Sequence, residues 1–234
     1  MTRSTNFLSL LFCAITVTAT AAEMPIWDTL TPGQQRQLSD GKAVVLEEEV
    51  SGRPWPRFTI YHLVNDTPRN VAAAFWDCET DATYIPNCTA VKILSQPHPW
   101  EHTARYTLKM PFFLPDEIYV TRDVLRNPLP SVYEVSWKVL ESRYTKSCSG
   151  SLRIEPQGNG SIIRYSNLVE PGSKFARMLR AKAGSQVLGT VQALVKQVEQ
   201  GLSKTPGMLE LEVQALDRAL RDAISPTASP TPSQ

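Results

Sequence analysis

Residues 173–202 read SKFARMLRAKAGSQVLGTVQALVKQVEQGL, and the rest of the chain is organised around them. In the second half, Val187, Leu188, Val191, Leu194, Val195, Val198 and Leu202 recur at helical spacing, with Gln192, Lys196 and Glu199 on the opposite side. At about 100° per residue these apolar positions form one stripe, roughly a third of the circumference wide. The first half turns Phe175, Met178 and Leu179 elsewhere on the wheel, and Gly184 and Gly189 lie near the changeover, where a bend is expected. The pattern predicts one long amphipathic helix that needs a sheet to cover.

The preceding residues supply that sheet. From residue 89 the pattern switches to a period of two, predicting strands at 89–95, 101–110, 118–126, 132–140, 149–155 and 161–169. Pro- and Gly-rich turns separate them, and connections this short make the strands antiparallel neighbours. Upstream, 43–50 and 58–65 read as two more strands. Thr31 followed by Pro32 opens a short helix, and Thr67 followed by Pro68 opens another over 68–76. Residues 77–87 read as a further short helix and turn.

Beyond Gly201, the residues Leu209, Val213, Leu216, Leu220 and Ile224 form a second stripe, expected to pack on the domain. The divisions expected are a leader over 1–22, a helix–strand lead-in over 23–56, the main domain over 57–202, an amphipathic helix over 203–224 and a disordered Pro/Ser/Thr-rich tail over 225–234.

A chain of 234 residues, 42% hydrophobic and 20% charged, can bury a core of ordinary size. Its net charge of +1 argues against nucleic acid as a partner, because phosphate binding needs a basic surplus. The leader reading rests on Arg3, an apolar run over 7–17 and the small residues Ala19, Thr20, Ala21 and Ala22. It predicts export, periplasmic or secreted, of a soluble monomer with no transmembrane segment. Of the three cysteines beyond it, Cys78 and Cys88 flank a short segment and are expected to form a disulfide there.

The order of strand, two short helices, six strands and long helix resembles the START-type, birch-pollen-allergen-like superfamily that also contains polyketide cyclase/dehydrase and lipid-transport proteins. Four stretches carry the resemblance: Thr67-Pro68-Arg69-Asn70-Val71 leading to Phe75-Trp76-Asp77; Tyr84-Ile85-Pro86-Asn87; Met110-Pro111-Phe112-Phe113 running on to Val120-Thr121-Arg122-Asp123; and Gly150-Ser151-Leu152-Arg153-Ile154-Glu155-Pro156 before Gly158-Asn159-Gly160-Ser161. The resemblance covers about residues 57–200. It implies an α+β helix-grip fold, in which a curved antiparallel sheet wraps around the long C-terminal helix and leaves an apolar cavity for a hydrophobic small molecule or lipid. It implies no cofactor.

Strand alternation then selects the lining. Ala104, Tyr106, Leu108 and Met110 share one parity, as do Tyr133, Val135, Trp137 and Val139, and as do Leu152 and Ile154. The candidate ligand-binding residues are Tyr106, Leu108, Met110, Tyr133, Val135, Trp137 and Leu152. Phe112 and Phe113 join them on a greasy lid or membrane-touching tip, and Phe175 and Met178 across the same mouth.

Catalytic signals are weaker. His98 and His102 are four apart, but on a strand this spans about 13 Å, too far for one metal. There is no nucleophile elbow or phosphate loop, no cysteine has a histidine beside it in sequence, and Arg153 with Glu155 reads as an exposed pair. Binding is favoured over catalysis. A cyclase/dehydrase activity would have His62, Tyr106 and Tyr133 as its titratable groups, and an interaction module using the 208–224 helix is the remaining alternative.

Overall fold

The computed structural model describes residues 23–110, 114–172, 180–201 and 207–224. The leader, the 225–234 tail and the residues Phe112, Phe113, Phe175 and Met178 lie outside them.

Eight strands form one antiparallel sheet: β1 (Val44–Glu48), β2 (Arg57–Val64), β3 (Cys88–His98), β4 (Glu101–Leu108), β5 (Glu117–Leu129), β6 (Val132–Ser142), β7 (Thr145–Gln157) and β8 (Gly160–Pro171). Their order is β1-β2-β8-β7-β6-β5-β4-β3, so β3 to β8 form a meander and the β1–β2 hairpin joins its far edge. The chain crosses from β2 to β3 through helix α2 (Pro68–Trp76) and a 3-10 segment (Cys78–Thr83).

Helix starts follow the sequence closely. Thr31 accepts from the Gln34 amide while the Gln34 side chain accepts from the Thr31 amide, which caps α1 (Pro32–Ser39) from both sides. Thr67 caps α2 in the same way on the amide of Asn70. Helix α3 (Arg180–Lys196) runs unbroken through Gly184 and Gly189, so it does not pause there. The backbone widens instead into one π-helical turn, Gln197–Gly201. Gly184 serves close approach: a Cβ there would come within 2.8 Å of the Phe58 ring on β2.

The apolar stripe of α3 meets the inner sheet face as the periodicity predicts. Val191, Leu194, Val195 and Val198 are buried with Leu125, Val135, Leu152, Ile154 and Ile163, and with Val71 and Ala72 of α2. Helix α4 (Met208–Ile224) lies on α2, burying Leu216 and Ala219, and Arg69 donates from Nε and Nη2 to the two carboxylate oxygens of Asp217. Among the described residues no helix is long and apolar enough to cross a membrane.

A second core occupies the outer face, where Ile26, Leu30 and Leu38 cover Val44, Tyr61 and Ile162. This lead-in overturns the expectation that Arg153 and Glu155 form an exposed pair. Both are buried beneath it: Arg153 Nε donates to Glu155 at 2.6 Å, and the Ile26 amide donates to the other Glu155 oxygen at 2.6 Å. Arg153 also contacts Glu23, which is held by Arg164 as well. Glu155→Ala should cost about 3 kcal/mol in urea unfolding, because it removes the buried partner of both Arg153 Nε and the Ile26 amide. A loss under about 1 kcal/mol would show that this network does not hold the lead-in.

Candidate binding site inside the grip

The inward parity expected of β4, β6 and β7 is the observed one, but the inner face has two unlike halves. In one, Leu125, Tyr133, Val135, Leu152 and Ile154 are fully packed beneath α2 and α3. In the other, Tyr106, Leu108, Tyr119, Trp137, Val139, Cys148 and Asn167 point the same way yet remain half-buried. Three of them, Tyr106, Tyr119 and Cys148, carry acid groups that lie deep in the protein. Burial pushes the phenols of Tyr106 and Tyr119 well above their usual range and the Cys148 thiol up to about 12. Deep side chains that retain accessible surface mark a less tightly packed part of the inner face, the hollow.

Trp137 forms one wall, with its ring centroid 6.0 Å from Phe75 of α2 and 5.0 Å from Tyr165. Its indole lies over Gly150, the residue opposite it on β7. A Cβ at Gly150 would sit 2.4 Å from both the indole and the Ser166 carbonyl oxygen, so only glycine lets the ring lie this close to the strand.

A cluster of polar groups is buried beside this hollow. Tyr84 donates to one oxygen of Asp81 at 2.5 Å and Tyr106 donates to the other at 3.3 Å. Tyr106 stacks on Tyr119 with ring centroids 5.0 Å apart. On the neighbouring strands, Asp123 accepts from the Thr121 hydroxyl at 2.6 Å and lies 3.5 Å from His102 Nε2. The Cys78 sulfur is 3.5 Å from that same nitrogen, and Trp76 covers the imidazole at 4.3 Å.

Removal from water sets the proton balance of this cluster. Burial raises Asp81 to about 7 against its two phenol hydrogen bonds, and raises Asp123 to about 7 against the bond from Thr121. Burial lowers His102 to about 4, so its imidazole is neutral at physiological pH, and the same cause pushes the Cys78 thiol up, leaving it unionised. Cys78 and Asp123 both approach Nε2, so the three groups do not form a relay running from one ring nitrogen to the other.

Of the residues chosen from sequence, Tyr106, Leu108 and Trp137 lie on the half-buried part of the inner face, and Met110 follows the end of β4. Tyr133, Val135 and Leu152 face inward in the closed half. His62 bonds the carbonyl of its neighbour Leu63 at 2.5 Å and takes no part in the cluster. The expected bridge between Cys78 and Cys88 is corrected, since both thiols are free. Cys78 turns to His102, while Cys88 turns to the Ala90 carbonyl at 3.9 Å.

The cluster itself went unread in the sequence, although the signal was present. Continuing the β4 parity one step reaches His102, and the same alternation on β5 places Tyr119, Thr121 and Asp123 inward with Leu125. A cleft of about 720 Å³ is lined by the charged Glu101, Arg122 and Lys138 and equally by Leu125, Trp137 and Leu220, so it shares Trp137 with the inner face.

Asp81 and Asp123 hold protons in the native state over roughly pH 4 to 7 that the unfolded chain has released, so their contribution is full below about pH 4 and is lost as pH rises through about 7. His102 acts in the opposite sense between about 4 and 6.5, but it is one group against two. Urea unfolding of wild type, Asp81→Asn and Asp123→Asn at about pH 4.5 and 8 checks this. Each variant should lose a fall in stability of about 1.4 kcal/mol per pH unit across the window; an unchanged pH difference would contradict the burial of these carboxyls.

No protein-family model matches the sequence, and no curated protein matches it. The similarity to solved structures lies in the fold. A STAR-related lipid transfer protein from Xanthomonas axonopodis superposes with TM-score 0.61 at 16% identity, over 68% of this chain and 94% of that one. Human STARD10 gives 0.55 at 15% identity, over 82% and 80%, and the Zhui aromatase/cyclase from a Streptomyces species gives 0.52 at 14%, over 64% and 97%. With an eight-stranded antiparallel sheet closed by C-terminal helices, this chain has the helix-grip fold of the START-type proteins.

Proposed function

We propose that the chain is an exported protein that binds, and carries, a hydrophobic small molecule or lipid in the hollow of the grip. The carrying observation is the set of deep yet accessible side chains, Tyr106, Tyr119, Trp137 and Cys148, on an inner face whose other half is solid. An apolar guest gains by filling such a space, at about 25 cal/mol per Å² of apolar surface removed from water. The shared fold with a lipid transfer protein supports the same reading. Export rests on the leader pattern of residues 1–22, and contact with a membrane would occur at the loop carrying Phe112 and Phe113.

Purification of the mature protein from an exporting host, followed by native and denaturing mass spectrometry, tests this. A co-purifying apolar mass that vanishes on denaturation is the expected result. Trp137→Asp, placing a charge in the wall, should reduce retention of that mass at least about tenfold in a variant whose circular dichroism is native. Undiminished retention would remove Trp137 from the site.

A second reading is favoured by one observation: two carboxyls raised to about 7 beside a hollow have the proton affinity of general acid–base groups near neutral pH. In a cyclase/dehydrase-type enzyme they would act on a hydrophobic chain. Asp81→Asn should then abolish turnover of such a substrate while His62→Ala leaves it intact; turnover surviving Asp81→Asn would end this reading.

A further inference from the structure

We propose that the guest of the hollow is an amphiphile whose polar end is an organic cation, an amine or a quaternary ammonium. This rests on the reading of the hollow as the binding site and adds the chemistry of the polar end. The argument is one of charge and shape. Asp81 and Asp123 are both buried, and among the described residues neither has a lysine or arginine partner.

Among the described residues, the groups that face them come from four elements. Around Asp81 stand Tyr84 and Cys78 of the crossing segment, Asp77 at the end of α2, Tyr106 of β4 and Asp123 of β5. Around Asp123 stand Thr121 on its own strand and His102 of β4, with Asp81 across from them. All are acids, neutral hydrogen-bonding groups or a neutral imidazole. Among the described residues facing the two carboxyls, none supplies positive charge.

The remaining lining is aromatic. Tyr106 and Tyr119 stack on one side, and Trp137 and Tyr165 form the tilted pair on the other. The Tyr165 phenol is driven up in part by Asp81 and Asp123, so this wall lies within electrostatic reach of the carboxyls. Ring faces attract cations, most strongly where water is excluded, and repel anions. Two carboxyls without a counterion add to the same preference. A carboxylate or phosphate would meet repulsion here. An alcohol would make hydrogen bonds but leave the carboxyl charge uncompensated. An ammonium carried on an apolar body answers both the acids and the rings.

The test uses three probes with one tail: dodecyltrimethylammonium, dodecanoate and dodecanol, each below its aggregation concentration, titrated into the delipidated full-length mature protein at about pH 8 with tryptophan fluorescence as readout. The ammonium should bind about tenfold or more tightly than either of the others. That preference should fall toward one in Asp81→Asn and in Asp123→Asn.

Wild type supplies the control should either variant fail to fold. The ammonium keeps its charge at every pH, so at about pH 5, where both carboxyls are protonated, the preference should shrink by a similar factor. Equal binding of dodecanol, tighter binding of dodecanoate, or a preference unchanged at about pH 5 would overturn the cation assignment while leaving the hollow as an apolar site. Failure of all three probes to bind would overturn the hollow as well.

Discussion

The structure depends on a mismatch of lengths. Strands of 13 residues, as in β5 and β7, extend about 43 Å at 3.3 Å per residue, whereas the 17 residues of α3 extend only about 26 Å at 1.5 Å per residue. A curved sheet of this size therefore cannot have its inner face covered by α3 alone. Helix α2, braced from behind by α4, covers one half together with α3 and makes the solid core. Over the other half the inner side chains keep the same parity but, among the described residues, lack that packed cover.

The choice of residues then gives the hollow its character. Burying a carboxyl costs several kcal/mol unless it is paired or neutralised, and both solutions are present in this molecule. On the outer face Glu155 is paired, with Arg153 and the Ile26 amide. On the inner face Asp81 and Asp123 take up protons more readily instead. The outer cluster is matched in charge and fixes a segment in place. The inner one has no lysine or arginine partner among the described residues.

Much of the fold was legible in the sequence because it rests on periodicity and capping. The alternation of β4 to β8, the stripe over Val187–Val198 and the Thr-Pro starts at 31–32 and 67–68 are local signals, and each is found where it was read. The cluster was less legible because it is made by register. His102 meets Asp123 only because β4 and β5 pair those two residues directly, and Cys78 reaches them from a segment 24 residues earlier. The rule that no cysteine stands next to a histidine held along the chain and failed in space. Arg153 was misread for a related reason: an outward parity on a strand says nothing about what a distant lead-in will cover. The cysteine bridge failed because sequence proximity does not fix the direction of a thiol.

The lead-in has one more effect, on how the molecule can be handled or held. Glu23 is gripped by Arg153 and Arg164 on the outer face, across the sheet from Tyr106 and Trp137. A fluorescent label, an affinity handle or a surface tether joined at Glu23 is therefore separated from the inner face by the full thickness of the sheet.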